Sequence, residues 1–344
     1  MPGPDLPPLR YLPAAVVEAA MPPLATRLAL AEQTLRALVP PAPGLAPAAE
    51  LPAKIGVHPR PADAFAHAMP AYLRGAAPDG RGDRLGIKWV AGVPANPAAG
   101  LPAIHALLVL NDPLTGAPLA VADAGPITAQ RTAAVSGIAI RLLGPGIIAD
   151  RAPRATLIGA GIQGRSHVPV LGALLPGLHL TILDREPERA SALATTAAAT
   201  AGIGRVRTAT DLHRAVSGSD VVVTCASFGP DHGLLAADAL APDALVVAVD
   251  YDIHASAGLA RDAALFLTDE IAGFAATRAG GTFFQGFPDP AGTLGEALAD
   301  PARWPRPAGR VLVAHLGVGL ADVVLGAAVF ETAAERGLGI ELPR

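Results

Sequence analysis

Residues 155–164 read ATLIGAGIQG, and a helical pattern, Gln163–Leu175, grows out of them. A short apolar strand that runs through Gly159-Ala160-Gly161-Ile162-Gln163-Gly164 into a helix is the setting in which a glycine turn carries chemistry. There the glycines let the backbone approach a pyrophosphate, which rests on the N–H groups of the helix N-terminus. A tight turn with no nucleotide is the competing reading. A second strand, LTILD, follows and ends at Asp184, placed to accept hydrogen bonds from adenosine ribose hydroxyls. A carboxylate there repels a 2′-phosphate, so NAD is expected as cofactor. Arg185 pulls the other way, and NADP is kept as the alternative.

Outward from this turn the chain alternates. Pro187–Ala201 and Asp211–Val216 read as helices, and DVVVTCA, ALVVAVD and AALFLTD as strands. Such alternation predicts a parallel sheet with helices on both faces, an α/β Rossmann-type doubly wound fold. After Asp269 the sequence predicts a Gly-rich loop, a short helix near Thr293–Asp300, a strand at Arg310–Ala314 and a final helix from Gly317 to Arg336. Upstream the pattern differs. Residues 1–13 are Pro-rich and read as irregular, and 14–38 as helical with a break at Pro22-Pro23. Lys54–Ala122 reads as short strands, with a hairpin at Asn111-Asp112-Pro113 and Thr115-Gly116. Residues 128–143 read as a helix with Thr128 as its N-cap. The expected division is a dinucleotide-binding domain at 132–313 and a second, α+β domain made of 1–131 with 314–344.

Composition narrows the function. The 344 residues suffice for two cores, and the net charge of −4 is dispersed. That argues against nucleic acid as a partner. No apolar run approaches the ~20 residues of a membrane span, and the N-terminus MPGPDLPPLR lacks the pattern of a signal peptide. The single cysteine, Cys225, excludes an intrachain disulfide, and no metal site is expected. These features predict a cytoplasmic protein. Of the 26 basic residues only Lys54 and Lys88 are lysines. A compact, titratable ammonium that survives such a bias points to places where arginine fails.

Several motifs now line up in order: Met69-Pro70, Lys88 with Asn96-Pro97 and Gly100-Leu101-Pro102, Asp112…Thr115-Gly116, and Thr128…Arg131-Thr132. GAGIQG, Asp252…Arg261-Asp262 and Gly317…Asp322 complete the series. Together they resemble the ornithine cyclodeaminase/μ-crystallin family, from about Lys54 to Asp322. The resemblance implies hydride transfer between the Cα of an amino acid and a nicotinamide, through an imine, in a homodimer whose second domain binds substrate and dimerises. It implies that Lys54, Lys88 and Arg131 hold the substrate carboxylate and that Asp252 is the acid/base. Asp252 and Lys88 are then the residues expected to carry the chemistry. Gly159, Gly161, Ile162, Gln163, Gly164, Asp184 and Arg131 would contact the dinucleotide.

The departures matter equally. His67 stands where the family's cyclodeaminases carry a glutamate for the distal amine of a diamino acid. Asp250 and Tyr251 replace two glycines, Ser256 a lysine and Ala103 a cofactor-contacting threonine. The carboxylate end of the site looks kept and the side-chain end rebuilt. An amino acid dehydrogenase or imine (ketimine) reductase is therefore expected. Ornithine cyclodeamination and a non-catalytic binding protein are the alternatives.

Overall fold

The computed structural model describes residues 8–145, 151–227 and 233–343. The chain divides into two compact units, residues 1–131 with 318–344 and residues 132–317. Elements of the first unit's leading segment are β1 (Leu9–Leu12), α1 (Ala14–Ala19), α2 (Leu24–Ala37), β2 (Ala49–Glu50), β3 (Ile55–Val57) and β4 (Phe65–Leu73). They continue with β5 (Arg84–Gly92), β6 (Ile104–Asn111), β7 (Pro118–Asp123) and the start of α3 (Ala124–Leu143). The second unit contains β8 (Arg154–Ile158), α4 (Ile162–Leu174), β9 (Leu178–Leu183), α5 (Pro187–Ala198), β10 (Ile203–Ala209), α6 (Leu212–Val216) and β11 (Val221–Thr224). It goes on with β12 (Leu245–Ala248), α7 (Ala257–Asp262), β13 (Leu265–Thr268), α8 (Ile271–Ala279), β14 (Gly292–Thr293), α9 (Leu294–Ala299) and β15 (Val311–Ala314). The chain returns to the first unit with α10 (Gly319–Glu335) and β16 (Ile340–Leu342).

The second unit is the Rossmann-type α/β sheet, ordered β10-β9-β8-β11-β12-β15-β13-β14 with every pairing parallel. Its central strands, β8 from Ala155 onward, β11, β12 and β15, are buried runs dominated by Val, Leu, Ile and Ala, with Thr156 and Thr224 among them, as a sheet covered on both faces requires. The strand order reverses between β8 and β11. At such a switch point the loops at the carboxyl ends diverge and leave a crevice.

The first unit is a mainly antiparallel sheet, β16-β1-β7-β6-β5-β4-β2, with β3 added on β4. α10 covers one face. Its Leu320, Val323, Val324 and Leu325 pack against Ala71, Leu73, Leu108 and Leu110.

Four expectations are corrected. The Pro-rich start holds a strand, β1, which pairs with β7 and β16; residues 1–7 of that stretch lie outside the described residues. α3 begins at Ala124, so Thr128 lies inside the helix and is no N-cap. β10 forms where the sequence pattern predicts no strand: as an edge strand it alternates exposed arginines, Arg205 and Arg207, with small residues and shows no apolar run. The Gly-rich loop after Asp269 contains α8, capped by Glu270, whose carboxylate accepts from Ala272 N–H at 2.7 Å and from Gly273 N–H.

Candidate active site

In the first unit an acid sits in the middle of the apolar helix α10. Asp322 is fully buried. Lys88, from β5, donates to its Oδ2 at 2.7 Å. Thr128 and Arg131, one turn apart on α3, donate to Oδ1 at 3.0 and 3.2 Å. Lys88 and Arg131 are themselves buried. The sheet therefore brings two of the three anticipated cations together, around a carboxylate whose role the sequence did not reveal. The Lys88 ammonium is pushed down to about 7, chiefly by burial, with Arg131 adding to the effect and Asp322 opposing it. For Asp322 burial acts upward, but two cations and a hydroxyl outweigh it, and its carboxyl is held below the usual range. The asymmetry follows from the count: the acid has two cationic partners, the lysine one anion and two like charges, Arg131 and Lys54.

His67 lies on β4, on the face that carries Lys88. Lys54 immediately precedes β3, which pairs with β4. Both lie in the surroundings of this cluster, since the charge of Lys54 acts on His67 and Lys88 alike.

In the second unit the glycine turn occupies the switch point, and each glycine has its own reason. Gly159 has φ +104°, and a Cβ there would meet the Cys225 carbonyl oxygen at 2.6 Å. A Cβ on Gly164 would meet the Gly159 oxygen at 2.1 Å, so this glycine allows α4 to seat on β8. A Cβ on Gly161 would meet nothing within 4 Å; the space before it is open. The N-terminus of α4 has no side-chain cap, and the buried Oε1 of Gln163 has no partner among the described residues. An open cradle, uncapped N–H groups and an orphaned acceptor fit a dinucleotide phosphate and its neighbouring amide or hydroxyl groups. Asp184, at the end of β9, accepts from Ala160 N–H at 2.6 Å and from Glu186 N–H at 2.9 Å. It thereby ties its strand to the turn. Ile162 is exposed beside it.

This arrangement separates binding from folding. Gly161→Ala is expected to leave the melting temperature within about a degree while NADH affinity falls roughly tenfold or more, since ~1.4 kcal/mol is tenfold. Gly164→Ala should lower both, because its Cβ collides with backbone. Fluorescence titration beside thermal unfolding distinguishes the two.

Asp252 follows β12. The strand ends at Ala248, so Asp250 and Asp252 do not share a strand face. Tyr251 between them has φ +62°, a left-handed conformation that turns the chain. Asp250 points inward and accepts from Thr224 Oγ1 at 2.5 Å, Ala226 N–H at 3.1 Å and His254 Nδ1 at 3.0 Å. Asp252 is half-buried and accepts from Phe284 N–H at 2.7 Å. Phe284 too has positive φ, +59°, and its ring packs near Tyr251. Burial raises the Asp252 carboxyl above the usual range; the Phe284 N–H opposes this, and Asp250 adds only a smaller upward push. Burial, more than like-charge repulsion, sets its acidity. Ser256 caps α7, its Oγ accepting from Leu259 N–H at 3.0 Å.

Comparison with known proteins gives a consistent picture. The family model for the ornithine cyclodeaminase/mu-crystallin family matches residues 23–335. Nodulation efficiency protein NfeD of Rhizobium meliloti is 34% identical over 292 residues, 84% of this chain and 86% of that protein. Ketimine reductase mu-crystallin of Mus musculus is 33% identical over 160 residues, 46% of each chain. Among solved structures, Thermococcus litoralis Δ1-pyrroline-2-carboxylate reductase, in complex with NADH and L-proline, superposes with a TM-score of 0.80. It is 21% identical and the match covers 97% of this chain and 100% of that one. At that identity the likeness speaks for the fold.

Proposed function

The chain belongs to the ornithine cyclodeaminase/mu-crystallin family, and from that premise we propose that it moves a hydride between the Cα of an amino acid and NAD, as an amino acid dehydrogenase or imine reductase. The observation that supports this reading most is the charge balance around Asp322. Lys88 and Arg131 share one buried carboxylate, so that with Lys88 protonated one positive charge is left over in a site removed from water. An uncompensated buried charge is costly, and an incoming anion relieves it. The carboxylate of an amino or imino acid supplies that anion and is thereby fixed in orientation.

In this reading Lys88 and Arg131 hold the carboxylate, with Lys54 beside them. Asp252 gives or takes the proton at the substrate nitrogen or at a hydrolytic water; a carboxyl raised by burial suits that exchange. The turn Gly159–Gly164, Gln163 and Asp184 hold the dinucleotide, with Arg131 as a further contact. NAD, when bound, supplies or accepts the hydride. Asp184 disfavours a 2′-phosphate, so NADH is the expected partner.

A purified-protein assay tests the reading: a panel of amino acids and of cyclic and open imines, followed by NADH and NADPH absorbance. Reduction of imines with NADH is expected, NADPH serving less well. Ornithine should be poorer than the best substrate by about 100-fold or more, because His67 offers no carboxylate to a distal ammonium. Efficient conversion of ornithine to proline, or a clear NADPH preference, would overturn the corresponding assignment.

The protein is further inferred to be a homodimer formed through its first unit. The sheet face away from α10 exposes Trp89 (47%) and Leu107 (43%), cross-strand partners, beside the exposed Ile55 and Val57 of β3. A large apolar patch of this kind needs a cover, and a self-complementary one is covered by a second copy. Trp89→Glu should shift the species seen by analytical ultracentrifugation from dimer to monomer; an unchanged mass would reject this face. No helix among the described residues is long and apolar enough to cross a membrane. The lone, buried Cys225 accords with a reducing, cytoplasmic setting.

A further inference from the structure

The first unit carries a basic row beside the Lys88 cluster. Lys54, Gly56 and His58 alternate along β3 and its two flanking positions. Gly56 pairs with His67 across the β3–β4 ladder, and His67 pairs with Val90, two residues along β5 from Lys88. Strand alternation places Lys54, His58, His67 and Lys88 on one side of the sheet. Gly56 makes room for this: a Cβ there would meet His67 Cδ2 at 2.7 Å and Nε2 at 3.1 Å. The imidazole therefore lies across the glycine, and Phe65 stacks on it with ring centroids 4.7 Å apart. The ring is held in place by packing.

The charges acting on that ring are all cationic. Burial first, then Lys54, His58 and Lys88, push its pKa down to about 4. At neutral pH it is uncharged and has one N–H to donate. An ammonium arriving here would be repelled by its neighbours, and an apolar group would strip water from them without compensation. A second anion meets a donor in the imidazole N–H and is attracted by the positive charges that act on that ring.

We propose that this row binds the side-chain carboxylate of the substrate, which is therefore a short dicarboxylic amino acid or the matching imino diacid. The proposal rests on the hydride-transfer reading above for what happens at Cα. There the imine carbon takes hydride from NADH and the nitrogen takes a proton, giving the amino diacid and NAD⁺. One carboxylate sits at Lys88 and Arg131, the other at His67, with Lys54 near both. Diagonal cross-strand neighbours such as His67 and Lys88 lie roughly 7–8 Å apart, within reach of long side chains, a spacing that suits the two carboxylates of a short diacid.

Calorimetric titration of the full chain with succinate and with butyrate, with and without NADH, tests the side-chain site apart from catalysis. Succinate is expected to bind at least about tenfold tighter, ~1.4 kcal/mol. His67→Gln, which keeps a donor, should retain most of the preference and report correct folding. His67→Glu should abolish it. Equal or undetectable binding of the two acids, or a preference that survives His67→Glu, overturns the proposal even if imines of monocarboxylic acids are reduced. A succinate preference lost in His67→Glu, in a protein that reduces no imine, sustains the diacid site and defeats the hydride-transfer reading instead. In turnover, the imine formed from oxaloacetate and ammonia should exceed that from pyruvate in kcat/KM by a similar factor.

Discussion

Asp252→Asn is expected to lower kcat by about 10²–10⁴ while NADH and substrate-analogue affinities stay near those of the parent. The reasoning starts from the backbone. Two residues in the left-handed region, Tyr251 and Phe284, bracket this carboxylate. Each such conformation in a bulky residue costs about 1–3 kcal/mol and persists only where the surroundings impose it. Here the surroundings are the rings of Tyr251, Phe283 and Phe284, packed together, and the Phe284 N–H that Asp252 accepts. The strain holds one carboxyl oxygen in the protein and leaves the group half-buried. An amide keeps the shape and accepts the same N–H, but takes up no proton. Asp250→Asn acts differently, since Asp250 anchors the loop through Thr224, Ala226 and His254. It should lower stability and loosen the loop, with a smaller loss in kcat. If Asp252→Asn retains full turnover and Asp250→Asn is inactive, the proton relay belongs to Asp250.

The parts of this molecule that could be read from sequence are those fixed locally. The β8 turn declares itself because three glycines serve three adjacent constraints: a positive φ, an open cradle and a close seat for α4. The buried runs of β11, β12 and β15 are continuous and unmistakable. β10 escaped because an edge strand with outward arginines has no periodic apolar signal. Thr128 looked like a cap because threonine before a helical pattern normally is one; its hydroxyl instead serves a residue 194 positions away. Asp322 was visible only as part of a motif. Nothing local explains a carboxylate in an apolar helix, and its partners lie 234 and 191 residues earlier. The face shared by Lys54, His67 and Lys88 likewise needed the register of three strands.

Asp322→Ala is expected to destabilise the chain by about 3–5 kcal/mol, measured by chemical denaturation, because it strands two buried cations at once. Lys88→Met should cost less, since Arg131 and Thr128 still hold Asp322. Both should reduce kcat/KM by orders of magnitude, the first by releasing the cations and the second by removing one. Their pH behaviour separates the roles. In the folded chain Lys88 loses its proton near about 7; in the unfolded chain it keeps it until about 10.4. Between these values the unfolded state binds more protons, so this group's contribution to stability rises with pH. Substrate anion binding needs the protonated ammonium, so kcat/KM should fall as pH rises through the same lower limit. Stability and activity thus move in opposite directions above neutrality, and in Lys88→Met the Lys88 part of both trends should vanish. Asp322→Asn takes away the anion that opposes the downward shift of Lys88. Its activity limb should move to lower pH, whereas a limb that stays in place would show that Lys88 does not govern it.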